Sequence, residues 1–159
     1  MKLKIICVGK LKEKFYTAAV NEFAKRISRF AEPVIIEVPD ESVPEKSSAA
    51  DIERIKRIEA TRILEKISPG ETLIALDIAG KQLSSVELSE KIQDYMLAGK
   101  SRLVFVIGGS SGLSDEVLKH ADFRLSFSKM TFSHQIFRIM LLEQLYRSFK
   151  IINNEPYHK

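Results

Sequence analysis

The chain has 159 residues, with one cysteine, Cys7, and no tryptophan. A single cysteine excludes an internal disulfide and a cysteine-cluster metal site, and it is typical of a protein from a reducing compartment. No uninterrupted apolar run approaches the ~18 residues that indicate a membrane span. The apolar stretch near the start, Ile5–Val8, is too short for a signal peptide. These absences predict a cytoplasmic protein that does not enter a membrane.

Two common nucleotide-binding motifs are also absent. The sequence contains neither G-x-G-x-x-G nor G-x-x-x-x-G-K-[ST], so ordinary nicotinamide and P-loop chemistry are not expected. The three histidines, His120, His134 and His158, lack the H-x-x-x-H spacing of a metal site, and no carboxylate cluster accompanies them. We therefore predict no bound metal.

Charge is unevenly distributed along the chain, although the net charge is only +4. Residues 1–30 carry eight Lys and Arg against two acidic residues, whereas residues 37–55 carry six acidic residues against two basic ones. The C-terminal part is basic again through Lys129, Arg138, Arg147, Lys150 and Lys159. Two basic ends around an acidic middle indicate one surface that faces a polyanion such as nucleic acid. Solubility alone would account for the same charge.

Short apolar runs alternate with segments of helical periodicity. The predicted strands are Leu3–Val8, Val34–Val38, Leu73–Leu76, Leu103–Ile107 and Arg124–Ser128. The predicted helices run from Phe15 to Phe30, from about residue 50 to Ile67, from the capping box at Ser84 to Gly99, briefly from Ser114, and from His134 to Ile152. This alternation predicts an α/β fold with a mostly parallel sheet and helices on both faces. With no repeat and no linker, residues 1–159 are predicted to form one domain.

The last predicted helix, His134–Ile152, is apolar over more than half of its circumference. A surface helix needs one apolar stripe, and a helix that is apolar on most sides is buried on most sides. In so small a domain the additional face predicts a contact with a second subunit across a two-fold axis. Burial inside one subunit is the alternative.

Three predicted strand ends carry residues suited to ligand binding, and open α/β sheets bind ligands beyond the carboxyl ends of their strands. These ends are Leu76–Asp77, the loop Gly108–Gly112, and the segment Ser126–Phe132. The glycines let backbone N–H groups approach a ligand with no side chain in between. A merely structural tight turn is the alternative for the glycines alone.

The loop Gly108–Gly112 also satisfies G-x-S-x-G, the nucleophile elbow of α/β-hydrolases. Ser110 would be the nucleophile, with Asp115 or Asp122 as the acid and His134 as the base. Only about fifty residues follow Ser110, which leaves little sheet to carry a separate acid and base. A serine hydrolase is therefore a minor alternative.

The glycine loop, the run Leu125–Gln135 and the terminal Tyr157-His158-Lys159 together closely resemble the RlmH family of SPOUT-class methyltransferases. The likeness covers the whole length of the chain, and Leu-Ser-Phe-Ser-Lys-Met-Thr-Phe is its most specific part. The resemblance implies a C-terminal trefoil knot, an exception to the rule that chains avoid knots. It also implies a homodimer that uses S-adenosylmethionine to methylate the N3-position of a pseudouridine in large-subunit (23S) ribosomal RNA. In some relatives a proline is expected before the histidine, whereas this sequence has Ser133. This difference affects only the geometry with which the last helix begins.

The resemblance also implies which residues bind the cofactor. The matching positions are Leu76, Gly108, Phe127, Ser128, Lys129, Met130, Thr131 and Phe132. Adenosine requires apolar walls and backbone hydrogen bonds, and strand ends supply both without charged side chains.

Transfer to a ring nitrogen also requires that the imide N–H lose its proton, so a base or a stabilising cation is needed. The catalytic candidates are His134, Arg138 and His158. His134 and Arg138 are four residues apart and share one helical face. Arg138 is a candidate RNA contact, for a phosphate or an imide oxygen. Further candidates for RNA binding are Tyr157, His158 and Lys159, which would hold the base. In one arrangement these three residues act within the partner subunit's site. The small surface favours an assembled ribosome as substrate, and a non-catalytic RNA-binding module is the rival interpretation.

Overall fold

A computed structural model describes residues 1–159 and contains five strands alternating with five helices. The elements are β1 (Lys2–Val8), α1 (Lys14–Ile27), β2 (Glu32–Val38), α2 (Ala49–Leu64), β3 (Thr72–Gln82), α3 (Ser85–Leu97), β4 (Arg102–Ile107), α4 (Asp115–His120), β5 (Phe123–Ser126) and α5 (His134–Ile152). The capping box predicted at Ser84 is present, and a second one at Ser48 begins α2. No helix combines the length and the apolar character needed to cross a bilayer.

The five strands form one sheet in the order β2-β1-β4-β3-β5, and every neighbouring pair is parallel. In a parallel sheet all strands begin at one edge and end at the other. The loops that follow β3, β4 and β5 therefore leave from the same edge. The prediction of an α/β fold with a mostly parallel sheet is confirmed.

Apolar cores cover both faces of the sheet. One core packs α1, α3 and α5 against side chains such as Ile5 and Phe105, and the other packs α2 and α4 against Ile6 and Val106. Successive residues of a strand point to opposite faces. Strands β1 and β4 therefore need apolar residues at nearly every position, which explains why they read as continuous apolar runs.

Strand β3 is longer than its apolar pattern predicts. It continues beyond Asp77 to Gln82 and pairs with β5 around a bulge between Leu76 and Lys81. At the bulge a Cβ on Gly80 would lie 2.6 Å from the backbone oxygen of Arg124, so only glycine fits. The extension lies beside the edge strand, where burial on both faces is not required. For this reason the apolar pattern of the sequence did not predict the extension of β3.

Phe15, an apolar residue at the start of the predicted first helix, does not face the core. It is 63% exposed, whereas Val20 and Ile27 of the same helix are buried. At about 100° per residue, positions 20 and 27 point almost the same way, and position 15 lies about 140° from position 20. The Phe15 ring instead contacts Tyr16, with centroids 4.3 Å apart.

Helix α5 has the predicted bounds and is buried over much of its surface. Leu141, Leu142, Leu145 and Phe149 pack into the core beneath α1 and α3. Part of its remaining apolar surface, including Ile139 and Met140, borders a cavity of about 490 Å³ that α3 also lines. Burial within one chain thus accounts for a large part of the apolar character, and the predicted two-fold contact stays a prediction.

Candidate active site

The three predicted strand ends come together around one cavity of about 520 Å³. Leu76 and Asp77 contribute from β3, and Gly108 to Ser110 from the loop after β4. The end of β5 and the segment after it contribute Ser126 to Ser128 and Met130 to His134. This volume lies within the usual range of small-molecule sites, ~300–1,000 Å³. Of the cofactor positions implied by the resemblance, Leu76, Gly108, Phe127, Ser128, Met130, Thr131 and Phe132 all line it. The exposed side chain of Lys129 does not.

The glycine loop forms a tight turn at the floor of this cavity. The Gly112 N–H donates to the Gly109 carbonyl at 3.0 Å, and Gly112 has a φ of +79°, which favours glycine. A Cβ on Gly108 would lie 3.0 Å from the backbone carbon of Gly112 and 3.1 Å from Leu113. Glycine at position 108 therefore lets the two ends of the turn pack closely, and at Gly112, which lines the cavity, a Cβ would meet nothing within 4 Å.

Local hydrogen bonds fix the segment after β5. The Ser126 hydroxyl donates to the Ser128 carbonyl at 3.1 Å, and the Met130 N–H donates to the Ser128 hydroxyl at 3.0 Å. The Phe127 ring packs against Phe137 of α5, with centroids 4.8 Å apart. Such side-chain-to-backbone bonds stabilise a turn without regular structure. The segment can therefore present backbone groups to a ligand while its aromatic side chains hold it to α5.

His134 begins α5 and lies where the cavity meets the end of β1. Its Nε2 atom is 3.3 Å from the point that a Cβ on Gly9 would occupy, so the ring lies over Gly9. Ser133 caps the helix by accepting the Ile136 N–H at 3.3 Å. Ser133, which stands where some relatives are expected to have proline, thus caps the start of α5. Of the proposed catalytic residues, His134 is the one that lines the cavity.

Arg138 does not occupy the position that the predicted RNA contact requires. Its side chain is 1% exposed, and its guanidinium donates to Glu37 Oε2 at 3.0 Å and to the Gly9 carbonyl at 3.2 Å. It shares a helical face with His134 as predicted, but one turn further along the helix this face packs on the end of β1. Arg138 therefore holds the loop after β1 and, in this structure, does not reach a phosphate or a base.

The C-terminal tail is packed on α5 rather than extended into solvent. The Tyr157 hydroxyl donates to Glu143 Oε1 at 3.1 Å, and the Arg147 guanidinium lies 4.7 Å from the Tyr157 ring centroid. His158 Nδ1 is 3.4 Å from an Arg147 nitrogen. At 1.5 Å per residue, Arg147 lies about 20 Å along α5 from His134. One chain therefore does not bring Tyr157, His158 and Lys159 to its own cavity.

Comparison with known proteins identifies the family. A family model described as "Predicted SPOUT methyltransferase" matches residues 1–158. The chain belongs to the SPOUT methyltransferase family. A protein of Clostridium botulinum (strain 657 / Type Ba4) named "Ribosomal RNA large subunit methyltransferase H" is 53% identical over 159 residues, covering 100% of both chains. An Enterococcus faecalis protein of the same name is 50% identical with the same coverage.

A solved structure shares the fold of this SPOUT methyltransferase at low sequence identity. It is that of a probable methylase family protein from Haemophilus influenzae Rd KW20, with a TM-score of 0.56 and 14% identity. The match covers 99% of this chain and 70% of the other. The resemblance to the RlmH family and the prediction of a methyltransferase are confirmed, whereas the trefoil knot stays a prediction.

A SPOUT methyltransferase implies a methyl donor, and the cavity suits S-adenosylmethionine. The glycine turn leaves the cavity open beside Gly112, where a Cβ would meet nothing within 4 Å, and Leu76, Leu113 and Phe137 supply apolar walls. Asp77 is the one ionisable carboxyl group on the lining and pairs with Arg124. An adenosyl group fits apolar walls with a few backbone hydrogen bonds.

The hydrolase alternative does not agree with the structure of this SPOUT methyltransferase. The Asp122 carboxylate accepts the N–H of Leu73 at 2.8 Å, near the start of β3 and thus at the sheet edge opposite Ser110. The His134 ring lies over Gly9. A nucleophile, a base and an orienting acid must be within hydrogen-bonding reach of one another. Asp122 lies at the opposite edge of the sheet, and the side chains of Ser110, Asp115 and His134 form no hydrogen bond with one another.

Sequence reasoning overlooked several residues near the site. Ile78, Leu113 and Phe137 line the cavity. Glu59 of α2 is buried against the glycine loop. Its spacing of four from Ile55 and from Ile63 places it on the inward stripe of the helix, which was a usable signal. Cys7 lies near Arg138, and burial raises the pKa of its thiol to about 12, so it remains uncharged at neutral pH.

Substitution of Gly108 tests the floor of the cavity. Gly108→Ala is expected to weaken S-adenosylmethionine binding about tenfold or more, because the new Cβ presses on the Gly112 backbone, an overpacking cost of ~1–3 kcal/mol. Calorimetric titration measures the affinity. Gly99→Ala is the control, since a Cβ at Gly99, a residue with a φ of +75°, has nothing within 4 Å and lies at the end of α3. An unchanged affinity in Gly108→Ala contradicts the role of this turn.

Proposed function

We propose that the chain transfers a methyl group from S-adenosylmethionine to the N3-position of a pseudouridine in large-subunit ribosomal RNA. The observation that carries the proposal is the convergence of the three strand-end segments on one cavity with apolar walls and an open glycine backbone. The full-length relatives named as ribosomal RNA large subunit methyltransferases support RNA as the substrate. In this proposal residues 1–159 form one catalytic domain.

In the proposed reaction the protein mainly aligns reactants, since the bound sulfonium supplies an activated methyl group. Leu76, Gly108, Phe127, Ser128 and Met130–Phe132 would hold the cofactor and exclude water from it. Holding the target nitrogen in line with the methyl group lowers the barrier by orientation.

The imide proton must leave the target nitrogen, and His134 lies at the cavity with a ring nitrogen near the backbone of Gly9. We assign to His134 the acceptance of this proton or the stabilisation of the resulting anion. Arg138 supports it indirectly, because it fixes the Gly9 carbonyl over which the imidazole packs.

The tail residues Tyr157, His158 and Lys159 are proposed to hold the target base and its phosphate in the cavity of a partner subunit. The distance of about 20 Å along α5 within one chain supports this assignment. The apolar cavity beside Ile139 and Met140 supplies a surface on which a second copy can pack. The homodimer then has two composite sites, each with a cavity from one chain and a tail from the other.

We propose the assembled ribosome in the cytoplasm as the substrate. The exposed surface of one small domain is limited, so the shape of folded RNA supplies the specificity. A non-catalytic RNA-binding module is the second candidate, and the basic ends of the chain favour it. Calorimetric titration with S-adenosylmethionine distinguishes the two, because a module without catalysis binds no methyl donor.

Transfer of tritiated methyl groups tests the function directly. Ribosomes lacking the modification are expected to accept one methyl group per large subunit, and free ribosomal RNA is expected to accept far less. Fully modified ribosomes serve as the control. The absence of transfer to any of these substrates, despite cofactor binding, contradicts the proposed substrate.

A further inference from the structure

The carboxyl group of Glu59 is buried next to the glycine loop and is only partly satisfied. The residue is 4% exposed. Its Oε2 atom accepts the Glu41 N–H at 3.0 Å, whereas its Oε1 atom is buried without a hydrogen-bond partner. A buried carboxylate oxygen without a partner is unfavourable, and an apolar side chain could occupy the same inward position. An unpaired acceptor of this kind is rare in folded proteins and points to a functional use.

The nearest element to this carboxyl group is the cofactor loop itself. A Cβ on Gly109 would lie 3.3 Å from both carboxyl oxygens of Glu59 and 3.1 Å from Val8. Gly109 follows Gly108 directly on the lining of the cavity. Glu59 therefore supports the loop from behind, on the side away from the cavity.

The glycine loop holds donors that lack acceptors. Gly109 and Gly112 form an antiparallel bridge, in which the Gly112 N–H donates to the Gly109 carbonyl, but the N–H groups of Ser110 and Ser111 donate to no protein acceptor. An acceptor without a donor thus lies against a segment of donors without acceptors. Gly109 has no Cβ, so a rotation of its backbone can bring an N–H towards Glu59 at low steric cost.

We propose that Glu59 is a positioning residue for the cofactor: when S-adenosylmethionine fills the cavity, Glu59 Oε1 accepts an N–H of the Gly109–Ser110 segment and fixes the loop against the ligand. The inference rests on the proposed function for the identity of the ligand. Glu59 does not touch the cofactor and acts through the loop.

This contact changes the protonation of Glu59. In the free protein the pKa of the Glu59 carboxyl group is raised, mainly by burial and also by the charges of Asp40 and Glu41. The Glu41 N–H and Arg62 lower this pKa but do not cancel the effect of burial. The glycine loop and Val8 bring no titratable group. Accepting a further N–H favours the charged form, so cofactor binding lowers the pKa of Glu59 and releases protons. Cofactor affinity therefore increases as pH rises from the bound pKa to the free one.

Titration calorimetry in two buffers of different ionisation enthalpy measures this proton release. Wild-type protein is expected to release protons when it binds S-adenosylmethionine under mildly acidic conditions, and fewer at neutral pH. In Glu59→Gln the Glu59-linked release disappears and the affinity falls about tenfold, as expected for a hydrogen bond to a charged group. The thermal stability of the free variant should equal or exceed that of wild type, because a buried, partly unpaired carboxyl group has been removed. Glu53→Gln, on the exposed side of the same helix, is the matched control.

Amide hydrogen exchange gives a second measurement on the wild-type chain alone. S-adenosylmethionine is expected to slow exchange at Gly109 and Ser110 more at neutral pH than under acidic conditions. If the wild type binds the cofactor and Glu59→Gln retains both its affinity and its proton release, the role of Glu59 is overturned while the proposed function stands. If the wild type binds no S-adenosylmethionine, both are overturned.

Discussion

Deletion of Pro156–Lys159 is expected to reduce methyl transfer about a hundredfold or more, while cofactor affinity stays within about twofold of wild type. The four residues include Tyr157, His158 and Lys159, whose aromatic ring, imidazole and ammonium groups suit base stacking and phosphate binding. In their own chain they pack on the second half of α5 and do not line the cavity. Loss of the tail should therefore affect RNA placement and leave cofactor binding intact. Tritiated methyl transfer and calorimetric titration measure the two effects.

The structure provides a control for fold damage in this deletion. Glu155 remains, and with it the ion pairs to Lys150 and Arg29 that hold the end of α5. Tyr157→Phe removes only the hydrogen bond to Glu143 and should have a much smaller effect on transfer. Unchanged turnover in the truncated protein contradicts an RNA role for the tail. A parallel fall in cofactor affinity would instead make the tail part of the cofactor pocket.

Mixed dimers reveal which subunit uses the tail. A truncated chain retains an intact cavity, and a Gly108→Ala chain retains an intact tail. If each tail acts in the partner's site, a mixture of the two impaired variants regains activity at limiting S-adenosylmethionine, because one site of the mixed dimer is complete. If each tail acts in its own chain, no site is complete and the mixture remains inactive.

The sequence predicted the convergence of the site better than the roles of individual side chains. Continuous apolar strands imply a parallel sheet, and a parallel sheet brings the ends of β3, β4 and β5 to one edge. Gly108 and Phe127 were therefore correctly predicted to share a cavity. The direction of a helical face is also readable, as the shared face of His134 and Arg138 illustrates. What that face packs against depends on tertiary contacts, and periodicity does not encode them.

Arg138 and Glu59 show why the roles of individual side chains were not predictable from the sequence. Arg138 was expected to contact RNA because it is a cation on the same helical face as His134, but inside the protein its guanidinium donates to Glu37 and to the Gly9 carbonyl. Glu59 falls on an inward stripe, but the loop that it lies against, at Gly109, is 50 residues further along the chain. Both cases depend on contacts between segments that are distant in sequence. A single sequence carries no local signal for such pairs.

Arg138→Ala is expected to lower the free energy of unfolding by about 3 kcal/mol, the lower end for breaking a buried ion pair. The estimate is at the lower end because Glu37, unlike Arg138, is 37% exposed in its side chain. The substitution leaves the Gly9 carbonyl without its donor and opens a void beneath α5. At ~2–4 °C per kcal/mol for a chain of this size, the melting temperature should fall by about 6–12 °C.

Arg26→Ala is the matched control for this stability prediction. Arg26 forms an exposed pair with Glu22 one turn away on the same helix, and solvent screens such a contact, so its loss should change the stability little. Arg138→Lys keeps the charge but loses the planar fork that reaches Glu37 and Gly9 together, so it should recover only part of the lost stability. Thermal unfolding followed by circular dichroism separates these cases. If Arg138→Ala unfolds at the same temperature as Arg26→Ala, Arg138 does not hold the loop after β1, and a direct contact with RNA becomes the better explanation of this residue.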